Sequence, residues 1–187
     1  MTEDLSTRAR LVTEAALLFR RRGYHATGLA EILAATKLPK GSLYHHFPDG
    51  KAGLAMAAAD WTATGLIRII DDAFIPAPTY QSGATHYCHK LARLFDVSAH
   101  IDACPISALL FDGPENPEFR SHADVLFRRL IEAVALHARR FGMTEAQAQD
   151  QAETLLITVE GGWTLARARR RSDILRSLPA RLFAGQG

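Results

Sequence analysis

The chain has 187 residues, 22 Lys and Arg against 20 Asp and Glu for a formal net charge of +2, and 48% hydrophobic residues. That is enough apolar material for the packed core of one or two domains, and too balanced a charge to imply nucleic acid by itself. No run approaches the roughly 18 apolar residues of a membrane helix, no charged-then-apolar leader opens the chain, and Cys88 and Cys104 are the only cysteines, so a cytoplasmic protein with reduced thiols, no disulfide framework and no membrane partner is expected.

Apolar residues recur at helical spacing throughout and no segment alternates with period two, which predicts an all-α fold. The first helix spans about Ser6 to Arg22, with Leu11, Ala15, Leu18 and Phe19 on one side and Gly23 as its stop. Thr27 reads as the N-cap of a second helix through Ala35, whose apolar side is Leu29, Ile32 and Leu33. Thr36-Lys37-Leu38 makes a turn. Pro39 then suits the first position of a third helix ending at His46, because its φ is preset and its missing N–H has no partner there. Leu38, Leu43 and Phe47 anchor that helix, leaving Lys40, Ser42, Tyr44 and His45 outward.

Two short helices joined by a tight turn, the second offering ammonium, hydroxyl and imidazole groups, form the pattern of a helix-turn-helix that places its second helix in a major groove. Gly41 adds a point where backbone can approach bases closely. Residues 8–51 hold eight basic side chains (Arg8, Arg10, Arg20, Arg21, Arg22, Lys37, Lys40, Lys51) against three acidic ones (Glu14, Glu31, Asp49), a net of +5, whereas Trp61 onward has fourteen of each. Such a localised field suits duplex DNA, although Arg20 to Arg22 equally suit an exposed helix end. The candidate DNA-contacting set is Thr27, Lys37, Lys40, Gly41, Ser42, Tyr44, His45, His46 and Lys51. Lys51 opens the next helix, whose N-terminal N–H groups would add donors for phosphate. Arg8 and Arg10 read equally as flanking phosphate contacts or as solvated arginines.

The stretch Leu11 to Tyr24 and the run Lys40-Gly41-Ser42-Leu43-Tyr44-His45-His46-Phe47 resemble the first helix and the recognition segment of the TetR family of transcriptional repressors, over roughly residues 8 to 55. Two departures stand out. Lys37 occupies the turn where the family usually has Gly; if that position needs φ > 0, a side chain there costs about 1–2 kcal/mol, so either the turn differs or Lys37 is kept for a phosphate. Phe47-Pro-Asp-Gly-Lys51 is one residue longer than the usual spacing and, with Ala103-Cys-Pro-Ile106, is similar to the LmrA-like subgroup linked to multidrug efflux and flavonoid-like inducers. The resemblance implies a helix-turn-helix domain over residues 1–50 and a ligand-binding and dimerisation domain over 51–187. It also implies a homodimeric repressor, released from a double-stranded DNA operator by a small-molecule inducer, with Tyr44 on a phosphate.

Beyond that segment, a helix from about Lys51 to Phe74 would span about 36 Å at 1.5 Å per residue, long enough to act as a lever. Pro76 to Gly83 reads as a loop, followed by helices over about Ala84 to Ser98, from Pro105, and over about Glu118 to Phe141, with a breaker run at Gly113 to Pro117. Thr144-x-x-Gln147 is a capping box for a helix to about Arg170. Ser172 caps a last helix bearing Ile174, Leu175, Leu178 and Leu182, which Pro179 should kink. Ala152, Leu156, Val159, Trp163 and Ala166, with Gly162, form one face. With Leu175, Leu178 and Leu182 that face supplies the four-helix dimer interface the resemblance implies, or else the subunit's own core. Gly161-Gly162 weakens the helix by about 1 kcal/mol per Gly, which points to close approach of a neighbour.

Trp61, Phe74, Tyr87, Leu91, Phe95, Cys104, Phe111, Phe127 and Trp163 are candidates for a ligand pocket, each equally readable as plain core; the lack of a charged cluster favours a fairly apolar inducer. His86-Tyr87-Cys88-His89 with Cys104 has the residue types of a zinc site, but on a helix Cys88 lies off the face shared by His86 and His89, so no metal is assigned. Cys104 precedes Pro105 at a helix start, where a dipole can lower a thiol pKa, so a thiol sensor is the alternative function. No hydrolase motif, phosphate loop or paired-carboxylate arrangement is present, and neither catalytic residues nor a cofactor is assigned.

Overall fold

The computed structural model describes residues 6–98, Ile106 and residues 117–184, and every regular element among them is an α-helix. These are α1 (Thr7–Arg22), α2 (Leu29–Thr36), α3 (Lys40–His46), α4 (Lys51–Phe74), α5 (Tyr80–Val97), α6 (Pro117–Arg140), α7 (Glu145–Arg169) and α8 (Asp173–Leu182). The short helix expected from Pro105 and the breaker run from Gly113 lie outside the described residues, as do the pocket candidates Cys104 and Phe111. The described residues divide into two units, 6–64 with 106 and 117–126, and 65–98 with 127–184.

In the first unit, Ser6 caps α1 by accepting a hydrogen bond from the Ala9 N–H, and Gly23 ends it at φ 81°. The side of α1 formed by Leu11, Val12, Ala15 and Phe19 is buried against α2 and α3. Arg10 donates to the carbonyl of Thr36 at 2.6 Å, which ties α1 to the end of α2. Arg22 pairs with Glu31 across the same two helices. From α6, buried Phe119 meets the Tyr24 ring edge-on at 5.2 Å.

In the second unit, α8 packs on α5 and α7. Here two expectations are corrected. The loop expected through Gly83 ends sooner, because Thr79 accepts from the Ser82 N–H and starts α5 at Tyr80. Gly83 therefore sits inside the helix, where the Phe74 ring occupies its side-chain space: a Cβ there would lie 2.2 Å from the ring. The second correction concerns the dimer face. Ala152, Leu156, Val159, Gly162, Trp163, Ala166, Leu175 and Leu178 are all buried within the single chain, and Leu182 is half-buried. Trp163 packs edge-on against Phe95 at 5.3 Å, and a Cβ on Gly162 would lie 2.7 Å from Leu178. Burying each of these Leu and Val side chains stabilises the fold by roughly 1.5–3 kcal/mol, so the stripe is explained by the chain's own core.

The capping box at Thr144 forms as expected, the Thr hydroxyl accepting from the Gln147 N–H while the Gln147 side chain accepts from the Thr144 N–H. Ser172 makes no side-chain cap; Arg176 instead donates to its hydroxyl. Pro179 lies buried inside α8, where the Phe183 N–H still reaches its carbonyl.

Candidate nucleic-acid interface

The turn between α2 and α3 is built on Lys37 in the left-handed region, at φ 53° and ψ 37°. The Lys37 N–H donates to the Ala34 carbonyl and the Leu38 N–H to that of Leu33, so the last carbonyls of α2 are satisfied by a Schellman-type pair. The glycine-type turn is therefore kept, and Lys37 occupies it, exposed, at a cost of about 1 kcal/mol. Pro39 is corrected by one position: its ψ of 150° is extended, and its carbonyl accepts from the Ser42 N–H, so it is the N-cap of α3 and Lys40 is the first helical residue.

Leu43 and Phe47 are buried and fix α3 to the rest of the unit. The opposite side is open: Lys37, Lys40, Gly41, Tyr44 and His45 are exposed, and Ser42 and His46 are half-buried. Tyr44 keeps 43% of its surface exposed although it is a large aromatic. The Lys40 ammonium lies 5.6 Å from its ring centroid, and the His45 and His46 rings meet edge-on at 4.9 Å. Gly50, at φ 62°, lets the chain pass beneath the Tyr44 ring on its way into α4. One short helix thus presents an ammonium, a phenol, imidazoles and a bare backbone on a single solvent-facing edge. Those groups suit phosphate oxygens and base edges.

Lys51 sits at the start of α4 with its ammonium 4.3 Å from the centroid of the Tyr24 ring, and partial burial lowers its pKa. Tyr24 is the residue that sequence reasoning missed, and the signal available was an aromatic placed directly after the helix-ending Gly23. It touches Phe19, His25 and Phe119 and so holds Lys51 from behind. Arg8 stacks over Phe47 at 5.2 Å, whereas Arg10 is committed to Thr36.

Thr27 is corrected outright. The cap of α2 is Gly28, without a side-chain hydrogen bond, and Thr27 is 0% exposed with its hydroxyl donating to the Gly23 carbonyl at 2.9 Å. A hydroxyl so placed closes the α1–α2 connection and has none of its surface available to a phosphate.

Of the pocket candidates, Phe74, Tyr87, Leu91, Phe95 and Trp163 are buried in the second unit, Phe127 is half-buried there, and Trp61 belongs to the first unit and is exposed. His86 and His89 are exposed while Cys88 is buried, its thiol pushed up to about 12 by desolvation. Among the described residues no group of three or more His, Cys, Asp or Glu is placed to hold a metal ion, and no helix is long and apolar enough to cross a membrane.

Comparison with known proteins agrees with this geometry. Residues 11–58 match the model of bacterial regulatory proteins of the tetR family, and residues 81–180 match that of the LmrA/YxaF-like transcriptional regulator C-terminal domain. The HTH-type transcriptional regulator Rv0196 of Mycobacterium tuberculosis is 31% identical over 87% of this chain and 85% of its own length. LmrA of Bacillus subtilis, also an HTH-type transcriptional regulator, is 26% identical over 90% of each chain. A cysteine mutant of the TetR-family regulator CifR, solved with a 26-bp double-strand operator DNA, shares the fold with a TM-score of 0.78 at 19% identity, covering 94% of each chain. The chain belongs to the TetR family of DNA-binding transcriptional regulators, in the branch with an LmrA/YxaF-like C-terminal domain.

Proposed function

We propose that this regulator is a homodimeric, cytoplasmic repressor whose α3 edges read two half-sites of an operator and are released by a small, fairly apolar inducer. The observation that carries the reading is the polar edge of α3, exposed on a helix whose other side is anchored by Leu43 and Phe47. Residues 1–50 act as the DNA-binding domain, with Lys37, Lys40, Gly41, Ser42, Tyr44, His45, His46 and Lys51 as contacts. Residues 51–187 serve ligand binding and dimerisation. The operator-bound state of the fold relative CifR supports this assignment.

With its inward stripe in the core, α7 offers its outward side to a second copy: Ile157 is 66% and Leu165 49% exposed, and Gly161 and Ala168 lie on the same face. No described side chain lies within 4 Å of a Cβ position on Gly161, so packing among the described residues gives the helix-weakening glycine no reason. A partner helix crossing there supplies one. Tyr87, Leu91, Phe95, Phe127 and Trp163 are apolar walls around which an inducer could be accommodated. Release then follows from the inducer's preference for one of two arrangements of the dimer.

The test is a gel shift on DNA upstream of the regulated gene. Retardation that persists with competitor DNA and disappears for Tyr44→Ala supports the proposal, whereas equal retardation by both proteins contradicts it.

A further inference from the structure

The second unit contains a cavity of about 540 Å³ that shares no residue with the expected inducer pocket. It lies where the start of α5, the α6–α7 connection, the first turns of α7 and the end of α8 converge. Its walls include the rings of Tyr80, Phe141 and Phe183 and the thioether of Met143, and its polar groups include Asp150 and Gln151. Among the described residues Asp150 is the one carboxylate of the lining, and no described Lys, Arg or His side chain lines it. No described residue makes a hydrogen bond or ion pair with the Asp150 carboxylate.

The rings are held in place before any ligand arrives. The Tyr80 hydroxyl donates to the Gln151 carbonyl at 3.0 Å, its ring packs on Phe74 at 5.5 Å, and Phe183 meets it edge-on at 6.4 Å. Phe141 already serves a cation on one face: the Arg140 guanidinium lies 4.7 Å from its centroid and donates to the Phe74 carbonyl. Arg140 is outside the lining, and its repulsion of a second cation is opposed by Asp150.

We propose that this cavity binds a small organic cation, an ammonium group carried on a flat apolar body. Aromatic faces attract ammonium groups through the ring quadrupole. The Asp150 carboxylate adds attraction for the same charge, and the described lining offers no cationic side chain to an anion. The volume falls in the range of small-molecule sites, about 300–1,000 Å³. The proposal is independent of how α3 meets DNA, because every residue it uses lies in the second unit.

The experiment titrates benzyltrimethylammonium and benzenesulfonate into the full chain, with affinity read by calorimetry and location by amide chemical shifts. The expected result is binding of the cation at least about tenfold tighter than the sulfonate, with shifts at Tyr80, Met143 and Gln151. Asp150→Asn weakens the cation about threefold and Phe183→Ala about fivefold, both with unchanged operator affinity. Equal affinity for cation and anion, shifts confined to other residues, or full affinity in Asp150→Asn would overturn the proposal. Since Asp150 is exposed, its variant keeps the test decisive even where Phe183→Ala alters folding.

Discussion

α3 and α7 each contain a glycine that weakens a helix and meets no described side chain, yet only α7 sets beside it one whose space a described residue fills. Gly41 and Gly161 have open space where a Cβ would stand, whereas Gly162 lies under Leu178. An α-helix pays about 1 kcal/mol for Gly over Ala in either case. Where a neighbour within the chain fills the space, the fold explains the residue. Where no described residue does, the proposed reason lies outside the chain, in DNA for α3 and in a second subunit for α7. The inward and outward sides of α7 are thus different surfaces, one buried in the core and the other exposed.

Five substitutions break or sharpen that contrast. Gly83→Ala is the extreme inward case, since the new methyl meets the buried Phe74 ring, itself stacked on His137 at 5.3 Å; thermal or urea melts should show a loss of about 3 kcal/mol. At the outward extreme, Tyr44→Ala should lower operator affinity about tenfold, roughly 1.4 kcal/mol, in fluorescence anisotropy while leaving the melting temperature in place. The adjacent pair then splits: Gly162→Ala should lose about 1 kcal/mol against Leu178, and Gly161→Ala should gain up to about 1 kcal/mol in chain stability while weakening dimerisation by sedimentation. If both variants were equally destabilised, the division between the two sides of α7 would fail. Smallest is Lys37→Gly, which should stabilise the chain by up to about 1 kcal/mol through relief of the left-handed backbone and make the salt dependence of DNA binding shallower.

Helix positions were legible in the sequence because caps and stops are local chemistry: Gly23 and the Thr144–Gln147 box act within a turn or two of themselves. The outward edge of α3 was legible for the same reason, its anchors Leu43 and Phe47 being one to seven residues from the groups they expose. Partners distant in the chain were not. Periodicity marks the Ala152 to Ala166 stripe as buried, but whether Leu178 of the same chain or a second copy covers it depends on how α8 folds back. Thr27 failed differently, because a hydroxyl before a helix serves equally as a cap or as a donor to the preceding turn, and only the burial beside Gly23 separates the two. Tyr24 was missed since its role depends on Lys51 and Phe119 arriving from other helices.

The most direct test of the α3 edge as a DNA reader in a dimer is operator affinity measured by anisotropy between 50 and 200 mM salt. With phosphate contacts from Lys37, Lys40 and Lys51 of two subunits, the account predicts a fall of about a thousandfold across that range. An affinity that stays constant would contradict it.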